Sequence, residues 1–434
     1  MLELTVIYRA RVQYEITQHP KLSSQLLAPM LEILHIALKS HRDALNLQQD
    51  SADILFNTAQ VLTSMAEALT EGKRPGEQRI HEAVKYLQEA LDLFQRCLAV
   101  QELRYTEAQE HIRMMESGNF EQQHPSIPAE QPPQSESAAT ESEQWASVIE
   151  PVTKSTLVDT AIAQLETLAT LCSLLTSDQG ASLAWIEEYS SDLRQKIFSY
   201  AEGSDRQHEV GLARAKFIAS MAEVSYRSGR IDIETYKNEL NRGFNDNLNI
   251  SQDPGGLCSK AEALVSFNAA VVDTHMPQNQ DTLNKSLNFR WQALSTALDC
   301  LTAASKLANA DNLPKIHIAR GDVEMYRWRL GRAPWGLAVS NENGHILLKN
   351  SQTYYRGGAA IARRDGWSEE EREGTIKEAL SKALSGDVAQ ILDVMAGARG
   401  EVMATAEEMV EDGLVATEDM QTAFSKAEPD ETVF

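Results

Sequence analysis

Apolar side chains recur along this chain at three- and four-residue steps. Leu26, Leu27, Met30, Leu31, Leu34, Leu38 and Leu45 make one such stripe, the spacing of an amphipathic helix. The pattern predicts helices over 2–17, 22–47, 52–70 and 77–116. Pro20 ends the first, and Pro29 marks a fresh start or kink in the second. Asp50 or Ser51 caps the third, and Lys73-Arg-Pro-Gly76 forms the turn before the fourth. Further helices are predicted over 153–177, 180–202, 205–228, 233–244, 257–274, 283–310, 313–331 and 345–363. Asp311-Asn312 supplies a cap, and Pro314 falls in the first turn, where proline is tolerated. Ser368-Glu-Glu-Glu371 reads as a capping box opening one more helix. Gly386 and Gly400 punctuate the C-terminal stretch beyond it. No stretch alternates apolar and polar residues as a strand does, so the expected class is all-α.

Residues 117–152 break this pattern. They carry Pro125, Pro128, Pro132 and Pro133, many Ser, Gln and Glu, and no Lys or Arg. Apolar side chains are too sparse there to offset the cost of ordering the chain. The sequence thus divides into N-terminal helices (1–116), a disordered acidic linker or loop (117–152) and C-terminal helices with an acidic end (153–434).

Within the first block a motif repeats. Ala37-x6-Ala44-Leu45-x-Leu47 returns as Ala83-x6-Ala90-Leu91-x-Leu93, with Ala44 and Ala90 46 residues apart. Small Ala residues permit a close helix crossing, and Leu on the same face fills the core. Between the copies runs Leu55-Phe-Asn-Thr-Ala-Gln-Val-Leu62. This stretch resembles the first helix of a tetratricopeptide repeat, and Ala83, Leu87 and Ala90 resemble the second. A period of about 34 residues characterises that family, so the excess of roughly twelve falls at the turn around 70–78, where a solenoid accepts insertions. Two later stretches, Ile218–Gly229 with Ala222 and Ile316–Gly331 with Gly321 at the small position, match the frame more loosely. The resemblance implies a right-handed helical-hairpin solenoid whose concave groove binds extended peptides, with Asp53, Phe56, Gln60 and Thr63 facing the groove. Of the positions by which one subgroup grips the carboxylate of heat-shock proteins, only Asn57 is matched; Phe56 stands where a Lys is expected. The Ala37–Leu47 frame lacks an evident first helix, which suggests that part of an N-terminal repeat lies upstream.

Charge narrows the choice of partner. Asp and Glu number 63 against 40 Lys and Arg, a net charge of −23. A general nucleic-acid binder needs a positive footprint, so no direct nucleic-acid contact is expected, and a basic protein partner is favoured. Cys97, Cys172, Cys258 and Cys300 are too far apart for a metal pair or a redox motif and read as buried thiols. That places the chain in a reducing compartment, the cytoplasm with the nucleus as an alternative. No stretch of 18 apolar residues suggests a membrane span.

Motifs of catalysis are missing from the sequence. The ten histidines include no His-Glu-x-x-His, and no Walker loop, dinucleotide fingerprint or nucleophile elbow occurs. No cofactor, metal or small-molecule substrate is therefore expected. Two basic–aromatic stretches stand out, Tyr326-Arg-Trp-Arg-Leu-Gly-Arg332 and Tyr354-Tyr-Arg356. Arg327, Arg329 and Arg332 are secondary partner-binding candidates, with internal pairing to acidic helices as the simpler role. The terminal Glu431-Thr-Val-Phe434 has the form of a ligand for carboxylate-capturing domains. The expected function is a non-enzymatic scaffold, a chaperone or escort for a basic client such as a ribosomal protein or histone. An adaptor subunit of a multi-protein complex is the alternative, and an enzyme with a site between helices comes third.

Overall fold

The computed structural model describes residues 2–19, 22, 26, 28–70, 75–116, 151–175, 181–246, 248–273 and 279–427. Among these residues every regular element is a helix. In chain order they are α1 (Leu2–Thr17), α2 (Met30–Leu47), α3 (Ala52–Thr70), α4 (Glu77–Glu116), α5 (Lys154–Leu174), α6 (Ala181–Ala201), α7 (Gln207–Arg227) and α8 (Ile233–Asn245). Next come α9 (Pro254–Asp273), α10 (Gln280–Ala304), α11 (Leu313–Arg329), α12 (Ala338–Glu342), α13 (Gly344–Asp365), α14 (Ser368–Leu384), α15 (Ala389–Glu411) and α16 (Thr417–Ala427). Most of the segment expected to be disordered, and the terminal Glu431–Phe434, lie outside the described residues.

The chain forms two compact units. The first comprises residues 1–171 and 188–210, the second 172–187 and 211–434. The sequence reading assigned 153–210 wholly to the C-terminal helices; the difference arises because most of that segment packs with the N-terminal ones.

In the first unit, α1 packs on α2, α2 on α3 and α3 on α4. That nearest-neighbour order is the order of a helical-hairpin solenoid. α1 is the hairpin partner of α2, so the Ala37 frame does not lack its first helix. Ala37, Ala44, Ala83 and Ala90 are all buried at these crossings, and Leu91 and Leu93 fill the same core. Leu47, expected inside, is 48% exposed because α2 ends there. Leu55, Ala59, Leu62 and Met65 of α3 meet Phe94 and Cys97 of α4, each large side chain contributing about 1.5–3 kcal/mol by leaving water.

α5 is long and apolar enough to cross a membrane by composition, but Leu157, Val158, Ala161, Leu165 and Leu168 are buried inside the protein. Its buried polar residues fix its register. Thr160 donates to Gln101 Oε1 at 2.8 Å, Gln164 reaches Phe94 O at 3.4 Å, and Thr167 lies 3.2 Å from Thr63 Oγ1. A plain apolar stripe would slide; these hydrogen bonds are satisfied in one placement.

In the second unit α9 packs on α10, α10 on α11, α11 on α13, and α13 on α14, with α15 and α16 closing over α14. One core joins α7–α11 around Tyr236, Phe267 and Leu294. Another joins α11, α13, α14, α15 and α16 around Met325, Tyr355, Leu380 and Phe424. Small residues again set the closest approaches. A Cβ on Gly321 would stand 2.4 Å from the Tyr355 ring, and one on Gly374 would stand 2.9 Å from Tyr355 O.

Several predicted ends differ. Ser368 is the first helical residue, Trp367 takes the cap position, and no capping box forms. Glu371 instead accepts from Arg363 Nε at 2.6 Å. Asn312 precedes α11 without a capping bond from its side chain. Gly386, at φ +98°, ends α14 as expected, whereas Gly400 sits inside α15, just beyond a kink at Ala398 (φ −147°, ψ 45°).

Candidate functional site

A concavity among the described residues lies in the second unit. It has a volume of ≈ 690 Å³ and is walled by α9, α11, the end of α10 and residues just past α15. Two helix faces build it. On α9, residues 254, 255, 258, 261, 262, 265 and 266 repeat at helical spacing; on α11, residues 315, 316, 319, 322, 323 and 326 do the same. Its floor is apolar: Ala261, Leu301, Ile316, Val323 and Leu414, all less than one-tenth exposed. Four carboxylates line it, Glu262, Asp311, Asp322 and Asp412, against the single ammonium of Lys315. Glu262 and Asp311 are exposed, and Lys315 is drawn towards Glu370 Oε1 at 3.5 Å. Asn312 Oδ1 in the wall is buried without a hydrogen-bond partner.

Beneath the cavity Asp322 anchors a charge network. It accepts from Tyr355 Oη at 2.8 Å, and Lys377 Nζ lies 3.1 Å from each of its oxygens. Lys377 also pairs with Glu373 Oε1 at 2.8 Å. Burial opposes the lysine's charge, but Asp322 and Glu373 outweigh burial and hold its pKa above the ordinary value. Tyr355 is pushed well above an ordinary phenol, first by burial and then by Asp322. Tyr326 in the cavity wall is raised by burial and by Asp412 and Asp322. Cys258, the thiol of the wall, is also raised, by burial, Glu262 and Asp253. These groups are set in their resting forms: the thiol and phenols stay protonated and the lysine stays charged. The arrangement sets carboxylates around an apolar surface; it does not poise a nucleophile.

The groove candidates lie elsewhere, along α3. Asp53 is exposed and Gln60 half-buried. Phe56 packs edge-on against Phe94, ring centroids 5.5 Å apart. Thr63 donates to Ala59 O at 3.1 Å and meets Thr167 of α5. Two of the four thus have helix partners inside the first unit. Thr167 of α5, from beyond the linker, lies on the part of this face that carries Thr63.

The three candidate arginines sit at the end of α11. Arg327 pairs with the buried Glu324 at 2.8 Å and lies 4.3 Å over the Trp291 ring. Arg329 donates to Ala333 O, bracing the next turn. Arg332 is exposed and lies 4.7 Å over Trp328. Arg327 thus has an acidic and an aromatic partner within the fold.

Sequence reading missed the cavity. One signal was present: Asp322 interrupts the apolar stripe Ile316, Ala319, Val323, and a carboxylate on a core-facing stripe needs a partner. That partner, Lys377, is 55 residues away. Among the described residues no group of three or more His, Cys, Asp and Glu side chains is placed to hold a metal. All four cysteines are free thiols; burial pushes Cys97 and Cys172 up to about 12.

No protein-family model and no curated protein matches this chain. Among solved structures, a circular tandem repeat protein with novel repeat topology and enhanced subunit contact surfaces is similar at 14% identity and a TM-score of 0.33. The alignment covers 98% of this chain and 96% of the other. A similarity at that score carries no argument about fold or function.

Proposed function

We propose that this chain is a non-enzymatic helical scaffold that binds a protein partner carrying basic segments, and that the cavity between α9 and α11 receives one of them. The carrying observation is the pairing of an apolar floor with a carboxylate rim. A lysine or arginine side chain has the same two parts, an apolar stem and a charged head. The net charge of −23 would draw a basic segment inward. A chaperone or escort of a basic client, of the ribosomal-protein or histone kind, acting in the cytoplasm and nucleus, fits this chemistry. The raised Cys258 and Tyr326 groups speak against the enzyme reading, since neither is activated for attack.

A fluorescent peptide rich in Lys and Leu tests the proposal by anisotropy at low and high salt. Binding should weaken with salt. Glu262→Lys with Asp311→Lys, both at exposed positions, should weaken it at least tenfold. Equal affinity at both salts, or an unchanged affinity in the double variant, would overturn the assignment. An adaptor role would instead show as a stable large assembly that forms equally well with the double variant.

A further inference from the structure

A second charged feature of the same unit is left incomplete. Arg290, on α10, is 3% exposed. Its Nε donates to Asn268 Oδ1 at 2.9 Å, and the guanidinium carbon lies 4.6 Å from the centre of the Trp335 ring. Among the described residues no carboxylate pairs with it and Asn268 is its one hydrogen-bond partner. The charge that acts on it is another cation, Arg329. Arg327 differs sharply, since it stacks on a tryptophan and also holds Glu324.

Such an arrangement is out of balance. A buried cation loses its hydration and recovers it through a carboxylate or a full set of acceptors. One amide oxygen and one aromatic face replace only part of it, and Arg329 adds repulsion. Arg329 is itself only partly compensated: burial lowers its pKa, Asp419 and Glu418 offset that, and Arg332 adds to it. The acceptors at Arg290 occupy its Nε edge and one face. Of its nitrogens only Nε has a hydrogen-bond partner among the described residues, and the two terminal nitrogens are the pair that meets an oxyanion in a forked contact.

We propose that Arg290, with Arg329 beside it and Trp335 over its face, is a binding site for an oxyanion, a carboxylate or phosphate group, that supplies the missing counter-charge. The site is separate from the cavity residues and does not rest on the basic-client reading. The ligand group enters end-on between the terminal nitrogens of Arg290 and the Arg329 guanidinium, while Trp335 and Asn268 hold Arg290 in place. The oxyanion is either a free small anion or a carboxylate carried on a peptide.

Calorimetric titration of the full chain with inorganic phosphate, with acetate, and with a short acidic peptide tests this, chloride holding the ionic strength constant. At least one probe should bind with one site per chain. Arg290→Met, which keeps volume and removes charge, and Arg329→Gln should each weaken that binding at least tenfold. If Arg290→Met fails to fold, Arg329→Gln at its half-buried position carries the same test. Phosphate or acetate binding identifies a free anion as ligand, and binding of the peptide alone identifies a peptide carboxylate. Absence of binding by all three, or binding unchanged in the folded variants, would overturn the proposal.

Discussion

Gly321→Ala is the sharpest test of how the second unit is packed. Gly321 lies inside α11, where alanine is the better helix former by about 1 kcal/mol; on propensity alone the change stabilises. The structure predicts the opposite. The new methyl would lie 2.4, 2.5 and 2.8 Å from Cε1, Cδ1 and Cζ of Tyr355, where carbon atoms prefer roughly 3.5–4.0 Å. The ring would have to retreat by about 1 Å. It is fully buried, and its hydroxyl is tied to Asp322 at 2.8 Å. Overpacking of this kind costs about 1–3 kcal/mol, and a weakened hydrogen bond to a charged group adds up to about 1.5–3 kcal/mol. After the propensity gain, a net loss of about 2–3 kcal/mol is expected. Urea unfolding followed by tryptophan fluorescence reads it, since Trp291, Trp328, Trp335 and Trp367 all belong to this unit. Two comparisons make the reasoning refutable. In a Tyr355→Leu background the ring is gone, so the cost of Gly321→Ala should fall by about 2 kcal/mol. Gly400→Ala, with nothing within 4 Å of its Cβ, should stabilise by about 0.5–1 kcal/mol. A Gly321→Ala variant that stabilises, or that costs the same with and without the Tyr355 ring, would refute the close-crossing argument.

Two other perturbations probe buried charge. His41 is 3% exposed, and burial lowers its pKa to about 4 despite a backbone hydrogen bond with Ala10. Its folded value lies below the ordinary 6.5, so the neutral form is the folded one. The associated stability is complete above pH ~6.5 and is lost as the pH falls towards about 4. Between pH 7.5 and 5 the wild type should lose about 2 kcal/mol relative to His41→Leu, read by urea unfolding with circular dichroism; a constant gap between the two would contradict the shift. Lys377→Met leaves the half-buried Asp322 and Glu373 without their cation and should cost about 2–3 kcal/mol, with a loss under about 1 kcal/mol in the same assay counting against the network.

The parts of this fold that sequence revealed are those fixed by local spacing. α1, α3 and α4 match the periodic runs to the residue, because each buries one continuous stripe. The small positions were legible for the same reason. Ala37, Ala83 and Gly321 interrupt runs of larger residues at helical spacing, and each lies where two backbones come close. Ends were less legible. Ser368 and Glu371 have the residue types of a capping box, yet Arg363, on the preceding helix, claims Glu371. Local chemistry proposed one hydrogen bond, and a charge brought in by tertiary packing supplied a stronger one.

The candidate sites belong to the other class, set by pairs far apart in sequence. Thr63 of α3 is a groove candidate by sequence, and its neighbour in the structure, Thr167, is 104 residues away. Glu262, Asp311, Asp322 and Asp412 come from four segments and meet only when α9, α11 and the turn after α15 are assembled. Nothing in the composition separates them from the chain's other acids. Arg290 makes the point most strongly. In sequence it is one arginine of a helix, between Phe289 and Trp291. Packing of α9 brings Asn268 to it and the turn after α11 brings Trp335, and that burial turns an ordinary side chain into a charge lacking its partner. A charge with this much burial and this little compensation persists only where rigid packing holds it or a ligand completes it. Arg327, equally aromatic in its surroundings, shows that the fold supplies a carboxylate when structure alone is at stake. At Arg290 it supplies none, and the titration with phosphate, acetate and peptide decides between rigid packing and a ligand.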